Sequence, residues 1–294
     1  MHAGRGIRHT LLTIPNVSEG RDENIIALIG DAFACTGARL LDVHSDADHH
    51  RSVYTLAGDT QTLVTGLVAG ARACTELIDL GAQRGSHPHI GALDVAPLVY
   101  PDPAGRGAAC ATALVAGEEL GRIGLPVFLY GELAAGRSRA QLRRGGLANL
   151  TARIAADELR PDFGPAKPDP RSGAVLVGAR APLVAFNIEL AAPATLDNAR
   201  VIAALIREGG GEGLPGVRAI GIELTARDNP VAQVSTNVED HRRTTLAQLV
   251  AAVARHAAIA GCELVGLAPQ AAFEGFPGDL AVANRRTLED ALSS

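Results

Sequence analysis

Aromatic side chains are scarce in this sequence. Among 294 residues there is no Trp, three Tyr and six Phe, so aromatics make up only 3%. The core must therefore be built from Ala, Val, Leu and Ile. With 47% hydrophobic and 20% charged residues, the composition is that of an ordinary globular protein. No uninterrupted apolar run reaches the roughly 18 residues of a membrane span. Met1 to Arg8 carries Arg5 and Arg8, but no apolar run follows that would make a secretory leader. The four cysteines, Cys35, Cys74, Cys110 and Cys262, form no C-x-x-C pair. Dispersed thiols of this kind read as reduced, and the expected location is the cytoplasm. The formal net charge of −5 argues against nucleic acid as a partner, since a phosphate-binding surface shows basic clustering. Several catalytic signatures are missing as well. No G-x-S-x-G elbow, P-loop or strand-to-helix G-x-G-x-x-G occurs, and Gly209-Gly210-Gly211 follows a helix and reads as its stop. Serine-hydrolase, kinase-like and dinucleotide-dependent chemistries lose ground accordingly.

The length fits one large domain or two modest ones. Periodicity gives the elements. Thr10 to Ile14 reads as a strand, Asn24 to Ala34 as a helix ended by Gly37, Ala38 to Val43 and Ser52 to Ala57 as strands, Thr60 to Asp79 as a helix, and Ala92 to Val99 as a strand. The far end repeats that order. Leu183 to Glu189 is a strand, Leu196 to Glu208 a helix, Ala219 to Leu224 and Ala232 to Ser235 strands, Thr245 to Ala260 a helix, and Glu263 to Leu267 a strand. The expected fold class is α+β, with two similar ferredoxin-like (βαββαβ) subdomains. Between them lie a helix over Ala104 to Gly121, a buried strand over Val127 to Tyr130, and a helical stretch over Arg153 to Leu159. The segment from Arg160 to Gly173 has four prolines and two glycines in fourteen residues, which excludes a helix or a central strand. The expected organisation is a first subdomain over 1–160, a linker or functional loop over 161–178, and a second subdomain over 179–294.

Two polar segments could carry chemistry. His44-Ser45-Asp46-Ala47-Asp48-His49-His50-Arg51 joins the second and third strands, with three His and two Asp in seven residues. It could be a solvated loop, a metal-binding loop or the polar wall of a substrate site; the last is the favoured reading, and the spacing matches no known metal motif. Gly85-Ser86-His87-Pro88-His89-Ile90-Gly91-Ala92-Leu93-Asp94 holds two histidines in a loop fixed by glycine and proline. Positioned imidazoles suit proton transfer near neutral pH, although a tight turn with an idle exposed His fits the same composition.

At these residues the sequence resembles the formiminotransferase domain family. The resemblance is carried by Ile14-Pro15-Asn16-Val17-Ser18-Glu19-Gly20-Arg21, Leu40-Leu41-Asp42-Val43 and Arg51-Ser52-Val53-Tyr54-Thr55. It continues through His87-Pro88-x-Ile90-Gly91-Ala92-Leu93-Asp94, Tyr130-Gly131-Glu132, Asp162-Phe163-Gly164-Pro165 and Gly178-Ala179-Arg180. It closes with Ala185-Phe186-Asn187-Ile188, Ala232 to Asn237, and Leu264-Val265-Gly266-Leu267. The family implies two ferredoxin-like subdomains with a cleft between them, a homodimer, and transfer of a formimino group from N-formimino-L-glutamate to N5 of tetrahydrofolate in histidine degradation. It places the catalytic His at His87. It places folate on Gly164, Pro165, Ala166, Lys167, Pro168, Asp169, Pro170, Arg171, Ser172 and Gly173. Substrate binding is expected at His44, Arg51, His89 and Asp94, with Arg171 and Arg180 as further anion partners. Tetrahydrofolate is the co-substrate, and no metal is expected, because an amidinium carbon is already electrophilic.

The chain departs from the family pattern in three places. Ser86 and His89 stand where the family usually has Glu and Arg, His44 where mammalian members have Asp, and His50 where Asn usually precedes Arg51. Loss of a neighbouring carboxylate lowers an imidazole pKa. These changes keep two alternatives open: another formimino or formyl donor such as formiminoglycine, or a folate-binding protein without catalysis.

Overall fold

A computed structural model of the chain describes residues 10–82, 89–225 and 230–294. The chain divides into two compact units, Met1–Ala181 and Pro182–Ser294.

In the first unit the elements run β1 (Leu11–Thr13), β2 (Asn16–Val17), α1 (Glu23–Ala34), β3 (Arg39–Asp46), β4 (Arg51–Gly58), α2 (Thr60–Leu77) and β5 (Leu93–Val99). β1 and β2 are two pieces of one strand position separated by Ile14 and Pro15. Both pair antiparallel with β4 on one side and β5 on the other, and β3 pairs antiparallel with β4. This is the ferredoxin-like order. Local chemistry sets the helix starts: the Asp22 side chain accepts from the N–H groups of Asn24 and Ile25, and Asp59 accepts from that of Thr62. α1 buries Ile26, Ile29, Gly30 and Phe33, a stripe at helical spacing.

The unit continues with α3 (Arg106–Arg122), β6 (Val127–Leu129), α4 (Arg139–Arg143), α5 (Gly146–Ala155) and β7 (Val175–Arg180). β7 pairs parallel with both β5 and β6, completing a 7-stranded sheet. Alternation along these strands feeds two cores. Ala96, Leu98, Val127, Val175 and Val177 pack with α1, α2 and α3. Val95, Phe128 and Leu176 face the other way and pack with Leu142 of α4 and Leu150 of α5.

The second unit comprises β8 (Val184–Leu190), α6 (Leu196–Ile206), β9 (Val217–Leu224), β10 (Val231–Val238), α7 (Leu246–Ala254), β11 (Ile259–Val265), β12 (Val282–Ala283) and α8 (Leu288–Ser293). Its 5-stranded sheet has the order β12-β11-β8-β10-β9, so its first four strands repeat the arrangement of the first unit. Capping boxes at Thr195 with Asn198 and at Thr245 with Gln248 start α6 and α7. The mixed α+β class and the doubled βαββαβ pattern agree with the periodicity.

Several boundaries differ from the sequence reading. Residues 161–178 do not form a linker: Asp162 donates its N–H to Val127, and Val175 onward is β7, a parallel strand inside the first sheet. The first unit therefore runs through Ala181, because the apolar run Ala174 to Val177 has two strand neighbours to bury it. β3 extends to Asp46, so His44 lies in a strand rather than a loop. The helix read over Arg153 to Leu159 is the end of α5, which begins at Gly146. The helix read to Ala260 ends at Ala254, since Ile259 and Gly261 pair with β8.

Two glycines fix the junction that matters most for the site. A Cβ on Gly91 would lie 2.0 Å from the Ala174 carbonyl oxygen, and one on Gly173 would lie 2.1 Å from that of Ile90. Gly173 also has φ of +72°, which favours glycine. Gly91→Ala is expected to destabilise the first unit by roughly 1–3 kcal/mol, since backbone cannot yield as a side chain does. Urea unfolding followed by circular dichroism checks this, and a native midpoint would contradict the close approach.

Candidate functional site

The hairpin of β3 and β4 closes with Asp46 opposite Arg51 and a turn over residues 47–50. Asp46 builds the turn: Oδ1 accepts the His49 N–H at 2.7 Å, and Oδ2 lies 2.9 Å from His49 Nδ1. Burial opposes ionisation of Asp46, but its bonds to His49 prevail and hold the carboxyl below its ordinary value. His50 takes the left-handed position, φ 51°. Asn tolerates that conformation best after glycine, which gives a physical reason for the Asn that the family usually has here. The Gly20 N–H donates to His50 Nδ1 at 3.2 Å. Burial lowers the His50 pKa, against the pull of Glu19. Glu19 itself accepts the N–H groups of Gly20, Arg21 and Asp22 on one oxygen.

Beneath this turn sits a buried ion group. Asp94, in β5, is fully buried. Its Oδ1 accepts the Ile90 N–H at 2.9 Å. Its Oδ2 accepts from Arg51 Nη1 at 2.9 Å and from Arg143 Nη2. Arg51 also donates from Nε and Nη2 to Asn16 Oδ1, at 3.1 and 2.7 Å, and Asn16 is held by its own bond to the Ile14 carbonyl. Burial would raise the Asp94 carboxyl, but the guanidiniums of Arg143 and Arg51 outweigh it and hold it far below the usual carboxylate range. Burial pushes Arg51 down to about 10, with Asp94 opposing and Arg143 adding to the effect. Among the described residues the group sets two guanidiniums against one carboxylate in a largely buried setting, an arrangement suited to a substrate carboxylate.

Of the sequence-predicted substrate residues, Arg51 and Asp94 are bonded to each other, while His44 is buried in β3 two positions before the turn-closing Asp46. His89 is half-buried and close enough to His50 that its charge opposes protonation there. His87 lies outside the described residues, as does Ser86. The chain on both sides of them is pinned to the expected folate segment. The Leu80 N–H donates to the Arg171 carbonyl at 3.0 Å, the Ala92 N–H to that of Ser172 at 2.9 Å, and the Ala174 N–H to that of Ile90 at 2.9 Å. Within Gly164 to Gly173, Pro168 and Gly173 are buried, Ser172 is half-buried, and the remaining residues are exposed. Asp169 folds the segment back by accepting the N–H groups of Arg171 and Ser172. Arg171 forms an exposed pair with Asp79, and Arg180 ends β7.

Among the described residues no three of His, Cys, Asp and Glu converge as metal ligands, so the histidines of residues 44–50 do not form such a group. All four cysteines are free, and burial pushes the Cys262 thiol up to about 12, away from nucleophilic use. No helix among the described residues is long and apolar enough to cross a membrane. An open hollow of about 720 Å³ is lined by Arg137, Gln141, Arg144 and Arg153 among others, but not by Arg51 or Asp94. The guanidiniums of that hollow are open to solvent or already engaged, Arg137 with Asp162 and Arg153 with the Gln141 carbonyl, so the buried ion group is the better site.

The chain matches the model of the formiminotransferase domain, N-terminal subdomain, over residues 10–180, and that of the formiminotransferase domain over residues 185–275. The chain belongs to the formiminotransferase family of enzymes. It is 35% identical over 266 residues to glutamate formimidoyltransferase of Streptococcus pyogenes serotype M1, covering 87% of this chain and 88% of the relative. The corresponding enzyme of Thermoplasma acidophilum is 34% identical over 271 residues, with 88% of each covered. Formimidoyltransferase-cyclodeaminase of Gallus gallus is 38% identical over 272 residues, or 88% of this chain and 50% of that protein. The chain thus spans about half the length of the cyclodeaminase relatives it matches.

In this member of the formiminotransferase family, sequence reasoning passed over three side chains of the ion group and its surroundings. Asn16 and Glu19 sit in the first motif, but no chemistry was attached to them. Arg143 lay in an arginine-rich stretch to which no element was assigned. The signal for it was the run from Arg137 through Arg139, Arg143 and Arg144 to Arg153, which contains no Asp or Glu.

Proposed function

We propose that the chain transfers the formimino group of N-formimino-L-glutamate to N5 of tetrahydrofolate, with His87 moving the proton. The reading is carried by the backbone bonds that tie Leu80, Ile90 and Ala92, on either side of His87 in sequence, to Arg171, Ser172 and Ala174. The folate residues would be Gly164 to Gly173, and Arg51 with His44, His89 and Asp94 would serve the donor.

N5 attacks the formimino carbon and a C–N bond forms, giving a tetrahedral intermediate. The attacking amine loses its proton to the imidazole. The same proton passes to the glutamate nitrogen as its C–N bond breaks, releasing glutamate and N5-formiminotetrahydrofolate. One imidazole serves both transfers, an effect of about 10²–10⁴-fold. Asp94 takes no proton in this scheme, because Arg143 and Arg51 keep it ionised.

Turnover of N-formimino-L-glutamate with tetrahydrofolate, followed by the appearance of glutamate, tests the reading; tetrahydrofolate binding without turnover would sink it. His89 in place of the family's usual Arg favours a second reading, a donor with one carboxylate fewer, and N-formiminoglycine in the same assay separates the two. The cytoplasm, histidine degradation and a homodimer complete the proposal, and the mass of the native particle in solution checks the last.

A further inference from the structure

Arg51 and Arg143 reach Asp94 from different elements, β4 and the last residue of α4, and both donate to the same oxygen. Their remaining donors differ. Arg51 has Asn16 as a second acceptor. Arg143 has its side chain only 12% exposed, and its buried Nε has no hydrogen-bond acceptor among the described residues. A guanidinium N–H withdrawn from water and left unmatched is unfavourable, and so is an excess of positive charge in a largely buried site. Leu142, beside it, is fully buried and anchors α4. One ligand chemistry relieves both penalties: an anionic oxygen placed at Nε.

We propose that Arg143 receives a carboxylate of an amino-acid-type substrate at Nε, with Asp94 and Arg51 fixing the plane of its guanidinium. This rests on the proposed reaction for its choice of ligand, because the formimino donor and the glutamate end of folate both carry that group. Asp94 then acts through the two arginines as a positioning residue. A lysine at 143 would keep the charge beside Asp94 but lose the flat, forked donor edge.

The test is calorimetric titration of the full chain, native and as Arg143→Met and Arg143→Lys, with two probes: L-glutamate and 5-formyltetrahydrofolate. One probe is expected to bind Arg143→Met about 10- to 100-fold more weakly, as loss of a charge-assisted pair implies, while the other stays near its native affinity. The probe that suffers names the source of the carboxylate. Arg143→Lys is expected to show the same selective loss to a smaller extent, and it serves if the methionine variant does not fold. Unchanged affinity for both probes overturns the inference, as does equal loss for both accompanied by a lowered melting temperature, or a native chain that binds neither. Turnover is measured separately. Selective binding loss in a chain without turnover would sink the reaction and leave Arg143 standing; turnover with unchanged affinities would do the reverse.

Discussion

Replacing His87 by alanine is expected to lower turnover of N-formimino-L-glutamate with tetrahydrofolate by about 10²–10⁴-fold, the span typical of a lost general acid–base group. Folate affinity is expected to stay near native, because the residues assigned to folate, Gly164 to Gly173, form a separate segment shaped by Asp169 and by its pairing with Ile90 and Ala92. The expected signature is therefore a fall in kcat with little change in the folate KM. Ser86 supplies a second handle. The family usually has a carboxylate there, and a neighbouring anion favours the charged form of an imidazole. Ser86→Glu introduces that charge next to His87 in sequence and is expected to move the acid limb of the rate profile toward higher pH. Native rates in His87→Ala would end its assignment as the proton carrier.

The ferredoxin-like halves were legible because their signals are local. Aspartates before α1 and α2 cap them, and apolar stripes and alternations of the right period follow. The parallel extension of the first sheet was not legible. Val95 pairs with Leu176 across a long stretch of chain, and no property of residues 174–180 announces which strand they will join. Prolines around that strand pointed to a linker, and they do occupy the loop before it. The end of α7 failed for a related reason. Ala257 to Ala260 has good helix propensity, but Ile259 pairs with Leu190, and tertiary pairing overrides propensity. The site divides in the same way. Arg51 and Asp94 stood out because they lie in motifs dense in polar residues and glycine. Arg143 did not, because arginines in a charged run are usually solvated. Only the burial of Leu142 and an Asp94 49 residues away turn it inward.

Asp94→Asn is expected to destabilise the first unit by about 3–5 kcal/mol, the penalty for leaving buried charges uncompensated when one partner of an ion group is removed. The amide keeps nearly the same volume and can still accept the Ile90 N–H, so lost packing is not the cause. What changes is charge: Arg51 and Arg143 then face each other with no anion between them. The pH dependence carries the sign. The folded carboxyl is held far below its unfolded value, so its contribution is complete above the unfolded pKa of about 4 and is lost as pH falls through the folded value. Native stability should therefore decline in acid more steeply than that of Asp94→Asn, and the two should converge at low pH. Coupling gives an independent check. Arg143→Met should be less harmful in the Asp94→Asn background than in the native chain, because it then removes one of two repelling cations. Denaturant unfolding of the four chains from about pH 7 down to about pH 1 reads all three expectations. An Asp94→Asn chain as stable as the native one at neutral pH, with additive effects at Arg143, would show that the two guanidiniums do not depend on this carboxylate, and the donor site built on them would have to be placed elsewhere.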